Sequence, residues 1–311
     1  MTQPVVEVEN LTKRYRGAKT NAVDGISFSV AAGEFFTLLG PNGAGKTTTI
    51  SILTTTLVPT SGAARIAGYD IRHEAAHVRQ NIGIIFQQPS LDFNLTAEEN
   101  VRFHAVLYGL YPFRPTFSTM PRPYKQEVSE LASLLGLEQE MSKPVKKFSG
   151  GMRRKLEIIR SLLHHPSILF LDEPTSGLDP VSRRTLWEYL RQVRRERGTT
   201  ILLTTHYLDE AEESDQTCII NYGRVVAHGS PDQVKAQLTE AYLLLDATDR
   251  PRLRAELTRL ALPFTESSSF RVNVRGADIQ TVLKAIETPL SVIKTHDPSL
   301  EDAYLEIIKE P

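Results

Sequence analysis

The chain has 311 residues and a net charge of −1, from 36 Lys and Arg against 37 Asp and Glu. This length exceeds the size at which one hydrophobic core usually stops growing, so one large domain and a smaller one are expected. The balanced charge gives no reason to expect a nucleic-acid partner. A single cysteine, Cys218, excludes an intramolecular disulfide and fits a reducing cytoplasm.

The sequence predicts neither a signal peptide nor a transmembrane helix. Residues 1–5 lack a basic region followed by an apolar stretch. The apolar runs, such as residues 168–171, are far shorter than the ~20 residues that span a bilayer. Any work at a membrane would therefore need a membrane-embedded partner.

The first part of the chain alternates strand-like and helix-like segments. Continuous apolar runs predict strands that are buried on both faces of a mainly parallel sheet, at residues 35–39, 168–171 and 201–204. Helix-forming segments follow them at residues 46–56, 181–197 and 207–213. The alternation predicts an α/β domain with helices on both faces of its sheet.

Two further regions differ from this pattern. Residues 96–165 are mostly helix-forming and predict a helical subdomain inserted into the α/β core; its halves are separated by Pro112, Pro115, Pro121 and Pro123. Beyond residue 237 the order β-α-β-β-α-β predicts a small ferredoxin-like α+β domain, followed by a helix at residues 300–308. The predicted domains are therefore residues 1–236 and 237–311.

A phosphate-binding loop is predicted between the first buried strand and the helix after it. The spacing G-x-x-x-x-G-K-T is formed by Gly40, Pro41, Asn42, Gly43, Ala44, Gly45, Lys46 and Thr47. The glycines let backbone N–H groups surround phosphate oxygens at a helix N-terminus. Lys46 suits the β- and γ-phosphates, the Thr47 hydroxyl suits Mg²⁺, and Thr48 is placed to reach the α-phosphate.

Two more segments carry groups that suit phosphate chemistry. Asp172 and Glu173 end an apolar strand, where ligands bind in open α/β sheets. Asp172 would hold Mg²⁺ through water and Glu173 would deprotonate an attacking water, although alone the pair could equally cap a helix. Ser149, Gly150 and Gly151 precede a basic helix start and predict a second anion-binding nest, but such a tripeptide is also a common turn.

These motifs, in this order, resemble the nucleotide-binding subunits of ABC transporters over about residues 5–235. Residues 148–152 look like that family's signature sequence, with Met152 where glutamine is commoner. The resemblance implies a P-loop NTPase core with an antiparallel β subdomain, an ATPase activity, and ATP and Mg²⁺ as ligands. The signature residues Ser149, Gly150 and Gly151 would then bind ATP.

The resemblance also assigns roles to four isolated residues. Tyr15 would stack on adenine, or be a simple strand residue. Gln87 would contact Mg²⁺ and water, although Gln88 is adjacent. Asp179 lies in a loop that crosses between subunits, and could also be a helix N-cap. His206 would contact the γ-phosphate, whereas a lone histidine after a strand is more often structural.

The partners are likewise implied by the resemblance. Because the chain has one copy of each motif, two copies would meet head to tail and close two ATP sites. Residues 297–304 resemble the tail of drug-resistance exporter ATPases of the daunorubicin-resistance type. The expected protein is thus a homodimeric exporter ATPase on the cytoplasmic face of the membrane, bound to a separate polytopic permease. An importer ATPase and a non-transport ABC ATPase are the alternatives. The proline- and aromatic-rich residues 111–124 would contact the permease, or form an ordinary surface loop.

Overall fold

A computed structural model describes residues 4–87, 90–238, 242–273, 279–296, 299–301 and 304. The chain divides into two compact units, Met1–His228 and Gly229–Pro311. The boundary expected from the sequence, after residue 236, lies further along the chain, inside the first helix of the second unit. Two independently folding domains therefore stay a prediction.

The first unit contains two sheets, seven α-helices and three short 3-10 helices in its described part. Its strands are β1 (Pro4–Lys13), β2 (Val23–Ala31), β3 (Phe35–Leu39), β4 (Ser61–Ile66), β5 (Tyr69–Asp70), β6 (Ile82–Ile85), β7 (Ile168–Asp172), β8 (Thr200–Thr205), β9 (Gln216–Asn221) and β10 (Arg224–Gly229). Its helices are α1 (Lys46–Leu53), α2 (Ala75–Asn81), α3 (Ala97–Leu107), α4 (Arg122–Leu134), α5 (Gly150–Leu162), α6 (Pro180–Arg197) and α7 (Leu208–Glu212).

The central sheet has six strands in the order β10-β9-β3-β8-β7-β6. The pairs of β3 with β8 and β9, and of β7 with β6 and β8, are parallel. Every residue of β3, β7 and β8 is buried, as expected for strands covered on both faces. A second, antiparallel sheet has the order β2-β1-β4-β5. The predicted α/β core and its antiparallel β subdomain are confirmed.

The helical subdomain contains α3, α4 and α5. Thr96 and Glu99 form a reciprocal capping box that starts α3. Pro112, Pro115 and Pro121 lie between α3 and α4, and Pro123 lies in the first turn of α4, where the missing N–H removes no intrahelical hydrogen bond, so the two helical halves are separated as the sequence suggested. Helix α1 is shorter than expected. It ends at Leu53, because Thr55 adopts a positive φ of 62°.

The second unit begins with α8 (Pro231–Leu238). Its fold consists of β11 (Tyr242–Ala247), α9 (Arg250–Arg259), β12 (Phe264–Glu266), β13 (Phe270–Asn273), α10 (Ile279–Ala285) and β14 (Leu290–His296). The sheet order is β12-β13-β11-β14 with antiparallel pairs. This is the predicted ferredoxin-like arrangement. The predicted helix at residues 300–308 lies mostly outside the described residues, and so does half of the motif at 297–304. Within the described parts, no helix is long and apolar enough to cross a membrane.

Candidate functional site

The loop between β3 and α1 is built by close backbone approaches at two glycines. A Cβ atom at Gly40 would collide with the carbonyl oxygen of Ile220, and one at Gly45 with that of Ala22. Gly45 also has a φ of 107°, which side chains other than glycine rarely tolerate. The loop is therefore restricted to this sequence by sterics as well as by chemistry.

Lys46 is buried at the start of α1. Its Nζ donates to the carbonyl oxygens of Gly40 (2.8 Å) and Pro41 (3.1 Å), and lies 3.7 Å from Glu173 Oε1. Burial lowers the pKa of Lys46, and the nearby carboxylates of Glu173 and Asp172 oppose that shift. The loop thus holds the Lys46 side chain in a buried position beside two carboxylates.

Asp172 lies at the end of β7, next to the hydroxyl groups of two threonines. Thr47 Oγ1 donates to Asp172 Oδ1 at 3.2 Å, and Thr204 Oγ1 donates to the same atom at 2.5 Å. A hydroxyl and a carboxylate oxygen converging in this way are the hard donors that Mg²⁺ prefers. The donor set therefore fits the ion expected from the sequence.

The carboxylate of Glu173 is the point at which most of the predicted catalytic residues meet. Gln87 Nε2 donates to Glu173 Oε2 at 3.2 Å, and His206 Nδ1 lies 3.3 Å from Glu173 Oε1. Lys46 Nζ approaches the same oxygen. The backbone of Glu173 has a φ of 46°, and its N–H donates to both the carbonyl and the hydroxyl oxygen of Thr204. A non-glycine residue in this region is strained, and such strain is concentrated at functional sites.

A cavity of about 470 Å³ joins these groups. It is lined by residues of the loop and by the surrounding side chains: Ala22, Asn42, Gly43, Gly45, Lys46, Thr47, Thr48, Gln87, Glu173, Ser176 and His206. Tyr15 lies at its margin, where its hydroxyl is 3.2 Å from Thr48 Oγ1. The alternative glutamine, Gln88, lies outside the described residues.

The signature residues and Asp179 do not line this cavity. Ser149 caps α5 by accepting a hydrogen bond from Met152 N, and Gly150 and Gly151 form its first turn. Asp179 caps α6, and its hydrogen bonds from Ser182 lower the pKa of its carboxyl group. The two helix starts are adjacent, since a Cβ atom at Gly151 would lie 2.8 Å from Ser182 Oγ. Within one chain the predicted site residues therefore lie in two places, the cavity around Lys46 and the N-terminal ends of α5 and α6.

The structure adds two residues that the sequence did not single out. Thr204 binds both Asp172 and the backbone of Glu173, yet in sequence it is one of several polar residues in an apolar strand. Arg154, within the basic start of α5, is buried and bound to the backbone around Glu173. The spacing of Arg154 from the acidic Glu157 fits one face of a helix, but the spacing of Arg153 from Glu157 fits it equally, so no signal in the sequence selects Arg154.

A second cavity, of about 520 Å³, lies in the helical subdomain. Its charged lining residues are Glu98, Glu99, Glu138 and Arg102, and Arg102 is already paired with Glu98. Because an excess of carboxylates repels phosphate, this cavity does not suit a nucleotide.

The chain resembles known proteins over most of its length. A family model described as ABC transporter matches residues 23–176. The daunorubicin/doxorubicin resistance ATP-binding protein DrrA of Streptomyces peucetius is 42% identical over 262 residues, covering 83% of this chain and 76% of that protein. This chain belongs to the family of ABC transporter ATP-binding proteins. The probable multidrug ABC transporter ATP-binding protein YbhF of Escherichia coli is 40% identical over 76% of this chain, which spans 39% of YbhF.

Other relatives agree with this assignment. The Nod factor export ATP-binding protein I of Paraburkholderia xenovorans is 36% identical over 99% of this chain and 98% of its own length. A solved ATP-binding subunit of an ABC transporter has a TM-score of 0.65 at 33% identity, covering 75% of this chain and 92% of that one. A dimeric ATP-binding cassette in a post-hydrolysis state with ADP and Pi has a TM-score of 0.65 at 26% identity, covering 72% and 98%. The chain is an ABC ATPase subunit, and its P-loop fold class is confirmed.

Substituting Gly45 tests whether the tight loop is required for nucleotide binding. We expect Gly45→Ala to weaken ATP binding by at least about tenfold, because the new Cβ atom strains the backbone and collides with Ala22. Isothermal titration with ATP measures the change. Gly68→Ala is the matched control, since Gly68 has a positive φ of 83° but open space around it. Equal ATP affinities for the two variants would contradict the prediction.

Proposed function

We propose that two copies of this chain hydrolyse ATP head to tail and power an exporter whose permease is a separate membrane protein. The observation that carries the proposal is the convergence of Lys46, Gln87 and His206 on the carboxylate of Glu173. Beside it, Thr47 and Asp172 form the oxygen donor pair. A cation and a base in one cavity, with an oxygen donor pair beside them, suit phosphoryl transfer to water.

Each residue has a role in this chemistry. Lys46 binds the β- and γ-phosphates and neutralises charge that develops during transfer. Glu173 accepts the proton of the attacking water, which Gln87 and His206 orient. Thr47, Asp172 and Gln87 would hold Mg²⁺, which would neutralise the phosphate oxygens. Tyr15 stacks on adenine, and Thr48 reaches the α-phosphate.

The division of the site supports the dimer. Ser149, Gly150 and Gly151 lie at a helix N-terminus, whose N–H groups and dipole favour an anion, but they are not part of the cavity around Lys46. In a head-to-tail pair, this N-terminus of one copy would face the γ-phosphate bound by the other. Asp179 would then lie in the crossing between the copies. A related cassette was solved as a dimer.

Export is supported by the names of the relatives. DrrA is named for daunorubicin and doxorubicin resistance, and the Nod factor relatives are named for export. We assign this chain to the same direction of transport, with an amphipathic cargo and a position on the cytoplasmic face of the membrane. The permease would supply the cargo site.

An apolar patch on the helical subdomain is a suitable surface for the permease. Leu107 and Phe113 are 83% and 58% exposed, and the ring of Phe103 is stacked with that of Phe113 at a centroid distance of 6.2 Å. We call Phe103, Leu107 and Phe113 the apolar patch. Exposed apolar groups that lie together are typical of interaction sites. Phe113 belongs to the proline-rich residues 111–124, which we assign to the same contact.

Replacing the proposed base should separate ATP binding from hydrolysis. We expect Glu173→Gln to lower turnover by about 10²–10⁴-fold, because the amide cannot accept the water proton. ATP binding should persist, and the ATP-bound dimer should accumulate in size-exclusion chromatography. Glu188→Gln, on the exposed face of α6, is the control and should keep the wild-type rate. Turnover of Glu173→Gln near that of the control would refute the role of Glu173.

Mixing two inactive variants tests the shared site. Lys46→Ala removes the phosphate cation, and Ser149→Arg blocks the helix start that faces the partner. Each variant alone should be inactive, because both sites of its homodimer are damaged. In a mixed dimer, one site combines an intact loop with an intact signature, so ATPase activity should return on mixing. Continued inactivity of mixtures that form heterodimers would exclude the head-to-tail arrangement.

Membrane capture tests the permease. Affinity-tagged chain, purified from detergent-solubilised membranes of its own cell, should retain a polytopic membrane protein that mass spectrometry can identify. The combined variant Phe103→Ser, Leu107→Ser, Phe113→Ser should lose this partner and keep its basal ATPase rate. Val58 is an exposed apolar residue outside the apolar patch, so Val58→Ser should retain the membrane partner. Unchanged capture by the triple variant would exclude the patch as the docking surface.

A further inference from the structure

Helix α5 binds the outer edge of the central sheet through one polar face. Strand β6 is the edge strand, so its outer backbone groups need partners from outside the sheet. Side chains of α5 and of the turn that follows it provide several of them, at spacings that return to the same side of a helix. His164 Nε2 lies 2.8 Å from Ile82 O, Ser161 Oγ donates to Ile84 O at 3.0 Å, and Arg154 Nη1 donates to Phe86 O at 2.6 Å.

Arg154 also reaches the neighbouring strand end. Its Nε donates to Pro174 O at 2.9 Å, and its Nη2 donates to Asp172 O at 3.3 Å and Glu173 O at 3.2 Å. The guanidinium is planar, with five N–H groups at fixed angles. Its hydrogen bonds therefore fix the carbonyl of Phe86 relative to the three successive carbonyls around Glu173. Arg154 therefore connects the backbone of Glu173, the proposed base, to the residue before Gln87.

Glu157 completes this connection. Its Oε2 accepts from Arg154 Nη1 at 3.1 Å, and its Oε1 accepts from Ser90 N at 2.9 Å. Phe86 and Ser90 lie before and after Gln87 in the chain, so the ion pair of Arg154 and Glu157 binds the backbone on both sides of that residue. Both side chains are buried, where an unpaired charge would be costly and a paired, hydrogen-bonded one holds a defined geometry.

We propose that Arg154 is a positioning residue for ATP hydrolysis. It holds the backbone of Glu173 and, together with Glu157, the backbone at Phe86 and Ser90 on either side of Gln87. It attaches both to helix α5, which Ser149 caps. This inference rests on the proposed role of Glu173 as the base.

The contacts of Arg154 predict an effect on rate rather than on affinity. Lys46 is held by Gly40 and Pro41, which Arg154 does not contact, so the phosphate loop should survive its removal. Misplacing a catalytic group by about 1 Å can cost about 10²-fold in rate. Loss of Arg154 should thus lower kcat by at least about tenfold and leave the KM for ATP within about twofold.

The experiment compares Arg154→Gln and Arg154→Lys with matched variants of Arg102. Arg102 is equally buried and pairs with Glu98 and the carbonyl of Arg114, away from the ATP cavity. Arg102→Gln and Arg102→Lys should lose thermal stability but keep kcat. Arg154→Lys should retain the charge near Glu157 but not the planar fork, so its kcat should remain below wild type. A normal kcat for Arg154→Lys, or equal losses in the two series, overturns the proposal.

Two further variants cover misfolding and the dependence on Glu173. Glu157→Gln leaves Arg154 in place but removes the carboxylate that pairs with it, so kcat should fall while KM is retained. If Arg154→Gln does not fold, an unchanged kcat of Glu157→Gln counts against the proposal. Under single-turnover conditions, Arg154→Gln should add little to the loss caused by Glu173→Gln. Full additivity overturns the proposal for Arg154. Normal turnover of Glu173→Gln alone would instead reject the proposed base.

Discussion

The parallel register of three buried strands brings together the groups at the centre of the site. Leu38 of β3 is paired with Thr204 of β8, and Thr204 is paired with Asp172 of β7. This row of paired residues brings the Thr204 hydroxyl to Asp172 and to the N–H of Glu173. On β3 the row lies at Leu38, two residues before the phosphate loop begins at Gly40. Side chains alternate along a strand, so a slip of one residue would turn Asp172 to the other face. The apolar burial of these strands therefore also fixes the chemistry.

The site also depends on compensation among buried charges. Lys46, Asp172 and Glu173 are all nearly inaccessible to solvent, and an isolated charge in such a place would be very unfavourable. Each one has partners within the site, and Lys46 binds carbonyl oxygens of its own loop. Phosphate oxygens also accept hydrogen bonds. When a nucleotide binds, Lys46 can therefore donate to charged phosphate oxygens instead of the neutral carbonyl oxygens of its own loop. The site can therefore hold its shape before and after this exchange.

Much of this could be predicted from sequence, for identifiable physical reasons. Strands buried on both faces appear as continuous apolar runs, and the loop at residues 40–47 has a spacing that sterics and phosphate geometry both require. The orientation of Arg154 could not be read from the run Arg153-Arg154-Lys155, because adjacent helical residues point in different directions and only tertiary packing selects the buried one. The end of α1 was missed because the positive φ at Thr55 has no local signal comparable to a glycine.

The close contact between α5 and α6 bears on how the divided site would work. A Cβ atom at Gly151 would lie 2.8 Å from Ser182 Oγ, and Ser182 in turn donates to Asp179. The N-terminal ends of the two helices are therefore packed against each other. Both ends carry the positive part of a helix dipole, so together they present a favourable surface to an anion held by another copy. Arg154 ties α5 to the backbone of Glu173, so in the proposed head-to-tail pair a displacement of this surface would also act on the backbone of the proposed base in the same chain.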